Sequence, residues 1–260
     1  MKILLTNDDG VFAPGIATMA EYMHKCGFDY LTVAPGRERS SVGHAITLHR
    51  PLRLWEVSNG PYPSEHRTYA CDGTPSDSVV LGLEELAPGT ELVISGINRG
   101  PNVGDDITYS GTVSAAMEGV IMGRPSIAVS LNCHGEDEKQ YYETAAITVC
   151  RIIDWLKTHN LKEGVLLNVN VPNIPFDELS GLKVTRKGVR IYEGKVNKMY
   201  DPHGRVFYWI SGRPEDQLVE GFDVWALSRN YVSVTPIQMD MTCYESVSSS
   251  TIQDLESIIN

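Results

Sequence analysis

The residues best suited to chemistry stand directly after the first apolar run, where Asn7-Asp8-Asp9-Gly10 follows Lys2–Thr6. Adjacent carboxylates repel each other. Outside a regular strand, with Gly10 freeing the backbone, both can turn toward one point, where a divalent cation cancels their charge. The same four residues also make a solvated turn. A second cluster runs from Ser95 to Asp106, Ser-Gly-Ile-Asn-Arg-Gly-Pro-Asn-Val-Gly-Asp-Asp, and reads as a long loop of the kind that is usually functional or mobile. It leads into Ser110-Gly111-Thr112 at the start of a helical pattern. Free amides, hydroxyls and the positive end of the helix dipole there suit a phosphate, although a plain helix cap explains the triplet equally well. A third element, Pro35–His44, carries Arg37, Arg39, Ser40, Ser41 and His44. Its hydroxyls can add to a metal shell and its arginines can face an anion. His44 reads as a hydrogen-bonded loop residue, not a catalyst.

These elements need a scaffold that brings three loops together. Lys2–Thr6, Tyr30–Ala34, Glu91–Ser95, Ser126–Leu131 and Val165–Val171 read as buried strands, and Ala45–Val57 as an alternating extended stretch. Helical spacing begins at Ile16, at Thr74-Pro75-Ser76-Asp77 with its cap, proline and acid, at Gly111, and across Lys139–Lys157. Alternating β and α elements predict a mostly parallel sheet with helices on both faces. Ligands bind such sheets beyond the carboxyl ends of the strands, which is where all three clusters fall. After about residue 180 the texture becomes β-rich, with strands expected at Leu182–Val189, Val206–Ile210, Asp223–Leu227 and Tyr231–Thr235. We therefore expect a catalytic core over 1–180. Residues 181–260 are expected to form an extension, not an independent domain, that pairs with another copy of the chain.

Composition narrows the chemistry. The 260 residues are 42% hydrophobic and 21% charged with a net charge of −11, which fits a globular protein and opposes binding of a nucleic-acid polymer. No apolar run approaches the ~20 residues that span a bilayer, and the first residues do not form a signal peptide. The five cysteines are scattered and never spaced C-x-x-C, which suits reduced thiols in a cytoplasmic protein and argues against zinc. The candidate ligands are oxygen donors, favouring magnesium, manganese or calcium. Two carboxylates and one divalent cation sum to about zero charge, so a phosphate dianion can approach. A metal-polarised phosphoryl oxygen and a metal-activated water then give phosphoester hydrolysis. Neither G-x-G-x-x-G after the first strand nor G-x-x-x-x-G-K-[ST] is present, and the adjacent acids differ from the D-x-D of aspartyl-phosphate enzymes.

Three longer motifs carry a resemblance. K-I-L-L-T-N-D-D-G-V at the N-terminus, D-G-T-P-x-D at 72–77 and S-G-I-N-x-G-P-N-V-G-D-D-I-x-Y-S-G-T-V-x-A-A-M-E-G at 95–119 resemble the SurE family of survival-protein nucleotidases. The similarity continues through Arg190–Glu193, Asp201–Arg205 and Tyr231–Pro236. It implies an α/β fold with a Rossmann-like three-layer core and β-rich C-terminal arms exchanged in a homodimer or homotetramer. It also implies a metal-dependent phosphatase acting on nucleoside 5′- and 3′-monophosphates, with polyphosphate as a further substrate. By position, Asp8, Asp9, Ser40 and Asn98 would hold one divalent cation, Mg or Mn, with Ser41 a possible substitute for Ser40. Asp8 and Asp9 would orient the attacking water, and Asn102, Ser110, Gly111 and Thr112 would bind the phosphate. The competing expectation is a non-catalytic nucleotide-sensing module that uses the same cleft.

Overall fold

The computed structural model describes residues 1–39, 41–133, 139–193, 196–210, 212–248 and 250–258. The first apolar run forms β1 (Lys2–Thr6), and Pro14 at its first turn starts α1 (Pro14–Lys25). Next come β2 (Asp29–Pro35), β3 (Leu54–Glu56), β4 (Thr68–Cys71) and α2 (Pro75–Leu81). At α2 the Thr74 side chain accepts from the Asp77 amide, and the Asp77 carboxylate accepts from the Thr74 amide, which is the capping box expected there. The core continues with β5 (Leu92–Arg99), α3 (Gly111–Ile121), β6 (Ser126–Asn132), α4 (Tyr142–Leu156) and β7 (Val165–Pro172). The C-terminal part holds β8 (Gly181–Val184), β9 (Arg190–Glu193), β10 (Val196–Tyr200), β11 (Val206–Ile210), β12 (Arg213–Asp216), α5 (Asp223–Ser228) and β13 (Tyr231–Gln238).

Nine strands form one sheet in the order β3-β4-β2-β1-β5-β6-β7-β13-β8, and the run from β4 to β7 is parallel throughout. Strand alternation gives the sheet two apolar faces. Ile3, Leu5, Ile94, Ile127 and Val169 pack with Met19 and Met23 of α1 and Val149 and Ile153 of α4. On the other face Leu4, Val33 and Val93 meet Val79 of α2, and Ala128 and Leu166 meet Val113 and Ala116 of α3. The result is a three-layer α/β sandwich. The chain leaves β1 toward β2 on one side, and β5 pairs on the other, so the strand order reverses beside β1. The crevice at this reversal is where doubly wound sheets bind ligands.

Three sequence expectations need correction. Asp223–Leu227 is helical, not extended: Phe222 is the extended N-cap, and Val224 and Leu227, three residues apart, bury against Val103. Over five residues a helical turn and a strand pattern are hard to tell apart. The stretch 45–57 contributes only Leu54–Glu56 to the sheet, because side chains take backbone amides a ladder would need. Asp77 accepts from Thr47 N at 2.9 Å and Asp72 from Arg53 N at 2.9 Å. Finally, the proposed loop from Ser95 is largely ordered structure, with β5 running on to Arg99 and a 3-10 turn over Gly104–Thr108. Strands β13 and β8 complete the main sheet, while β9 with β12 and β10 with β11 form separate antiparallel ladders.

Candidate active site

At the carboxyl end of β1 the chain turns sharply. Asn7 is fully buried and its Nδ2 donates to Gly10 O at 2.9 Å, closing the turn, while Gly10 takes φ +97°, a backbone that disfavours any side chain. A Cβ on Gly10 would also lie 3.0 Å from the carbonyl carbon of Arg37, so the loop after β2 presses directly on this turn. Arg39 N completes the contact by donating to Asp8 O at 2.7 Å. The two acids are thus fixed by backbone on both sides.

Asp8 is only 5% exposed and its Oδ1 accepts from the Thr112 hydroxyl of α3. Asp9 Oδ2 accepts from Arg99 N at 3.2 Å. Asn98 reaches the same place because the pairing of β5 with β6 shifts register between Ser95 and Asn98, and such irregularities re-aim side chains at the end of a strand. Its Nδ2 donates to Gly100 O at 2.8 Å. A cleft of about 1350 Å³ is lined by Asp8, Asp9, Ser41, Asn98, Asn102 and Ser110 among others. Ser40 lies outside the described residues. Gly111 and Thr112 contact Asp8: a Cβ on Gly111 would stand 2.8 Å from both Asp8 Cβ and Asp8 Oδ2.

The electrostatics of this turn call for a cation. Burial drives the Asp8 carboxyl above its ordinary range, against the opposing hydrogen bond from Thr112. Asp9 is pushed up to about 7, first by burial and then by the Asp8 charge. Desolvation and a like charge both disfavour ionisation, and a divalent cation removes both penalties. Among the described residues no three His, Cys, Asp or Glu side chains gather around a common point. The donors at the cleft are two carboxylates with amide and hydroxyl oxygens, a hard set that fits a divalent cation.

Beside Asp8, Ser110 caps α3, its Oγ accepting from Val113 N at 3.1 Å, so the positive end of an eleven-residue helix meets this acid. Asn102 donates from Nδ2 to Ser130 Oγ at 2.8 Å. Other residues singled out in the sequence are held by partners of their own. Arg39 Nη2 donates to Asp72 O at 2.8 Å, and His44 Nε2 lies 2.7 Å from Glu118 Oε2. Asp105 pairs with Lys187, and Asp106 accepts from Arg190 Nη1 at 3.0 Å and Tyr192 OH at 2.5 Å. The 3-10 turn ahead of α3 is therefore anchored to the C-terminal part of the chain. Tyr142 and Tyr192 line the cleft although their spacing in the sequence gave no sign of it.

This geometry has a known counterpart. Residues 3–194 match the family model described as Survival protein SurE. The chain belongs to the SurE family. It is 47% identical over 251 residues to a protein of Geobacter metallireducens named 5′-nucleotidase SurE, the match covering 96% of each chain. It is likewise 47% identical over 249 residues to the 5′-nucleotidase SurE of Natranaerobius thermophilus, covering 94% of this chain and 95% of the relative. The crystal structure of the SurE protein from Aquifex aeolicus shares the fold with a TM-score of 0.85 at 42% identity, covering 98% of this chain and 100% of that one. A SurE fold accounts for the three-layer core and for the additional C-terminal β ladders.

The raised Asp9 value predicts a pH dependence of the metal-free protein. An acid at 3.8 when unfolded and about 7 when folded binds more protons in the native state between those values, so stability falls as pH rises through that window. With chelator present, the melting temperature is expected to drop between pH 5 and pH 8 by about 5 °C, allowing for residual solvent screening at Asp9. Added Mn²⁺ should raise it most at the upper pH, where both carboxylates are free to bind. A melting temperature in chelator that holds constant or climbs across this range contradicts the assignment.

Proposed function

We propose that the chain, like its relatives named 5′-nucleotidase SurE, is a nucleotidase, a phosphoric monoester hydrolase acting on nucleoside 5′-monophosphates and on the 3′-monophosphates as well. The observation that carries this reading is the contact between the buried acid pair and the amino end of α3, made through Thr112 and Gly111 against Asp8. An anion-binding helix terminus and a cation-requiring carboxylate pair share one cleft. That pairing suits a phosphoryl group, which needs both.

Asp8, Asp9, Asn98 and a hydroxyl from Ser40 or Ser41 would hold one Mg²⁺ or Mn²⁺. When bound, the cation supplies Lewis acidity toward a phosphoryl oxygen and lowers the pKa of water. The chain's own residues do the rest. Thr112 keeps Asp8 in place through its hydroxyl, and the Arg99 amide fixes one oxygen of Asp9, leaving the other to orient the attacking water. Ser110 and the first amides of α3 receive the phosphoryl oxygens, and Asn102 faces the charge that builds on them. Water oxygen bonds to phosphorus as the ester P–O bond breaks, and a proton passes to the departing nucleoside oxygen. The same cleft can take the terminal phosphate of polyphosphate.

The test is phosphate release from AMP, 3′-AMP and polyphosphate with Mg²⁺ or Mn²⁺, with and without EDTA. Metal-dependent release from AMP supports the reading. AMP binding without release in either metal makes the protein a nucleotide sensor and overturns it.

A second copy of the chain is the partner we propose for the β10–β11 hairpin, where Tyr208, Trp209 and Ile210 are 66%, 67% and 85% exposed. Contiguous apolar surface of this kind is seldom left in water. A homodimer or homotetramer is expected by light scattering at micromolar concentration, and Trp209→Glu should shift it toward smaller species. A monomeric parent protein refutes this. The acidic charge and the scattered cysteines support a cytoplasmic location.

A further inference from the structure

Strand β7 is an interior strand of the sheet, between β6 and β13, yet two of its residues are fully buried asparagines. Asn168 and Asn170 are both 0% exposed, within the run Leu-Leu-Asn-Val-Asn-Val. Alternation places them on the same face as Leu166, which packs under α3, while Leu167, Val169 and Val171 join the core beneath α4. That face thus changes from apolar to amide as β7 approaches its carboxyl end. Buried amides are costly in a strand unless their hydrogen bonds are made.

The bonds all converge on one residue. Asn170 Oδ1 accepts from Asn102 N at 2.8 Å, while its Nδ2 donates to Asn102 O at 3.0 Å. Asn168 Nδ2 donates to the same carbonyl at 2.9 Å. Both polar groups of the Asn102 backbone are consumed by β7. From the neighbouring strand, Ser130, which is the register partner of Asn170, receives the Asn102 side chain at 2.8 Å. An amide presents its acceptor and its donor on two separate atoms that meet the N–H and C=O of one backbone unit, which an ionised carboxylate or an alkyl group at position 170 cannot do.

Asn168 marks the purpose of the arrangement. Its Oδ1 is buried with no partner among the described residues, a desolvation cost the protein carries while Asn102 O already has a donor in Asn170. For stability alone, an apolar side chain at position 168 would do as well or better. We infer that Asn168 and Asn170 are positioning residues that clamp Asn102 at the rim of the phosphoryl site, so that its side chain is set before substrate arrives. This rests on the nucleotidase reading for its effect on turnover, but the clamp itself can be measured without it.

The test uses Asn168→Leu and Asn170→Leu in the full chain. In Asn168→Leu the melting temperature should match or exceed that of the parent, while kcat for AMP falls by about tenfold or more and KM stays within threefold, as expected when a reacting group loses its placement and not its contacts. In an Asn102→Ala background, Asn168→Leu should change kcat by less than twofold, because it acts only through Asn102. Full multiplicative loss in that background, or single-variant kcat within twofold of the parent, overturns the inference. Hydrogen exchange reports the clamp independently of turnover. The Asn102 amide should exchange at least tenfold faster in Asn170→Leu than in the parent, and equal rates refute the clamp. A parent that releases no phosphate from AMP refutes the nucleotidase reading instead and leaves the exchange result to decide the clamp.

Discussion

Asp9→Asn is expected to lower kcat/KM for AMP by about 10²- to 10³-fold, the several kcal/mol of charge stabilisation a catalytic cation supplies. The same variant should melt at a higher temperature than the parent in chelator at pH 8. Both expectations follow from one fact, that the Asp9 carboxylate is ionised in an unfavourable place beside buried Asp8. The amide keeps the shape and a carbonyl oxygen that can accept from Arg99 N, but removes the charge that repels Asp8. Stability gained and activity lost at the same residue distinguish a site acid from a structural one, which would lose both. Measurement of initial rates and melting curves on the two proteins, with chelator and with Mn²⁺, checks this. Activity within threefold of the parent means that Asp9 does not hold the cation.

The parts of this site that could be read from the sequence were those encoded in consecutive residues. Asp8 and Asp9 follow an apolar run that reads as a buried strand, and Ser110 precedes a helix with an apolar stripe, so each can be placed at a loop beyond a strand or at a helix start. What joins them could not be read. The Thr112 hydroxyl meets Asp8 across 104 residues of sequence, and only the parallel order of β1 and β5 with α3 packed behind brings them together. Asn98 was visible as a polar residue after a strand, but its arrival at the cleft depends on the register shift within β5. The apolar residues of Val165–Val171 mark a strand, and Asn168 and Asn170 are the two positions that break its pattern. Polar residues in an otherwise buried strand were the available signal, and the rule that they must be satisfied would have flagged them. The helix at Asp223–Ser228 failed for the opposite reason, since six residues carry too little periodicity to tell turn from strand. Its Asp223 in fact receives the Gly104 amide at 2.9 Å and the Gly188 amide at 2.8 Å, tying the segment before α3 to the C-terminal part of the chain.

These contacts explain how an acidic protein can admit a phosphate. The net charge of −11 is spread over the molecule, whereas the cleft sets Asp8 and Asp9 against a helix terminus and brings Arg37 and Arg99 to its wall beside Glu38 and Asp106. Local arrangement decides, because partly buried charges interact at lower effective dielectric than exposed ones, which solvent and salt screen. Asp105 and Asp106, the acids nearest the phosphate side, are paired with Lys187 and with Arg190, so the ion pairs that anchor the 3-10 turn also quiet its charge.

Gly111→Ala is expected to cost about 10²-fold in kcat/KM for AMP, the scale at which a displacement of about 1 Å in a reacting group is felt. Local helix preference argues the other way, since alanine is favoured over glycine in a helix by up to about 1 kcal/mol. The reason lies in Asp8. The added methyl carbon would sit 2.8 Å from Asp8 Cβ and Oδ2 and 3.2 Å from its Cγ, too close for any of them to remain. Asp8 has nowhere to retreat, because its carbonyl accepts from Arg39 N at 2.7 Å and its carboxylate is held by the Thr112 hydroxyl. Either the acid leaves the cleft or α3 backs away from it, and in both cases the proposed cation ligand and the amides proposed to receive the phosphate lose their spacing. Gly89→Ala is the control, since a Cβ there meets nothing within 4 Å, and its kcat/KM should stay within twofold of the parent. Stabilisation by Mn²⁺, read as the rise in melting temperature, should shrink in Gly111→Ala and remain intact in Gly89→Ala. If Gly111→Ala keeps both its turnover and its metal response, the close approach of α3 to Asp8 is not what sets the site.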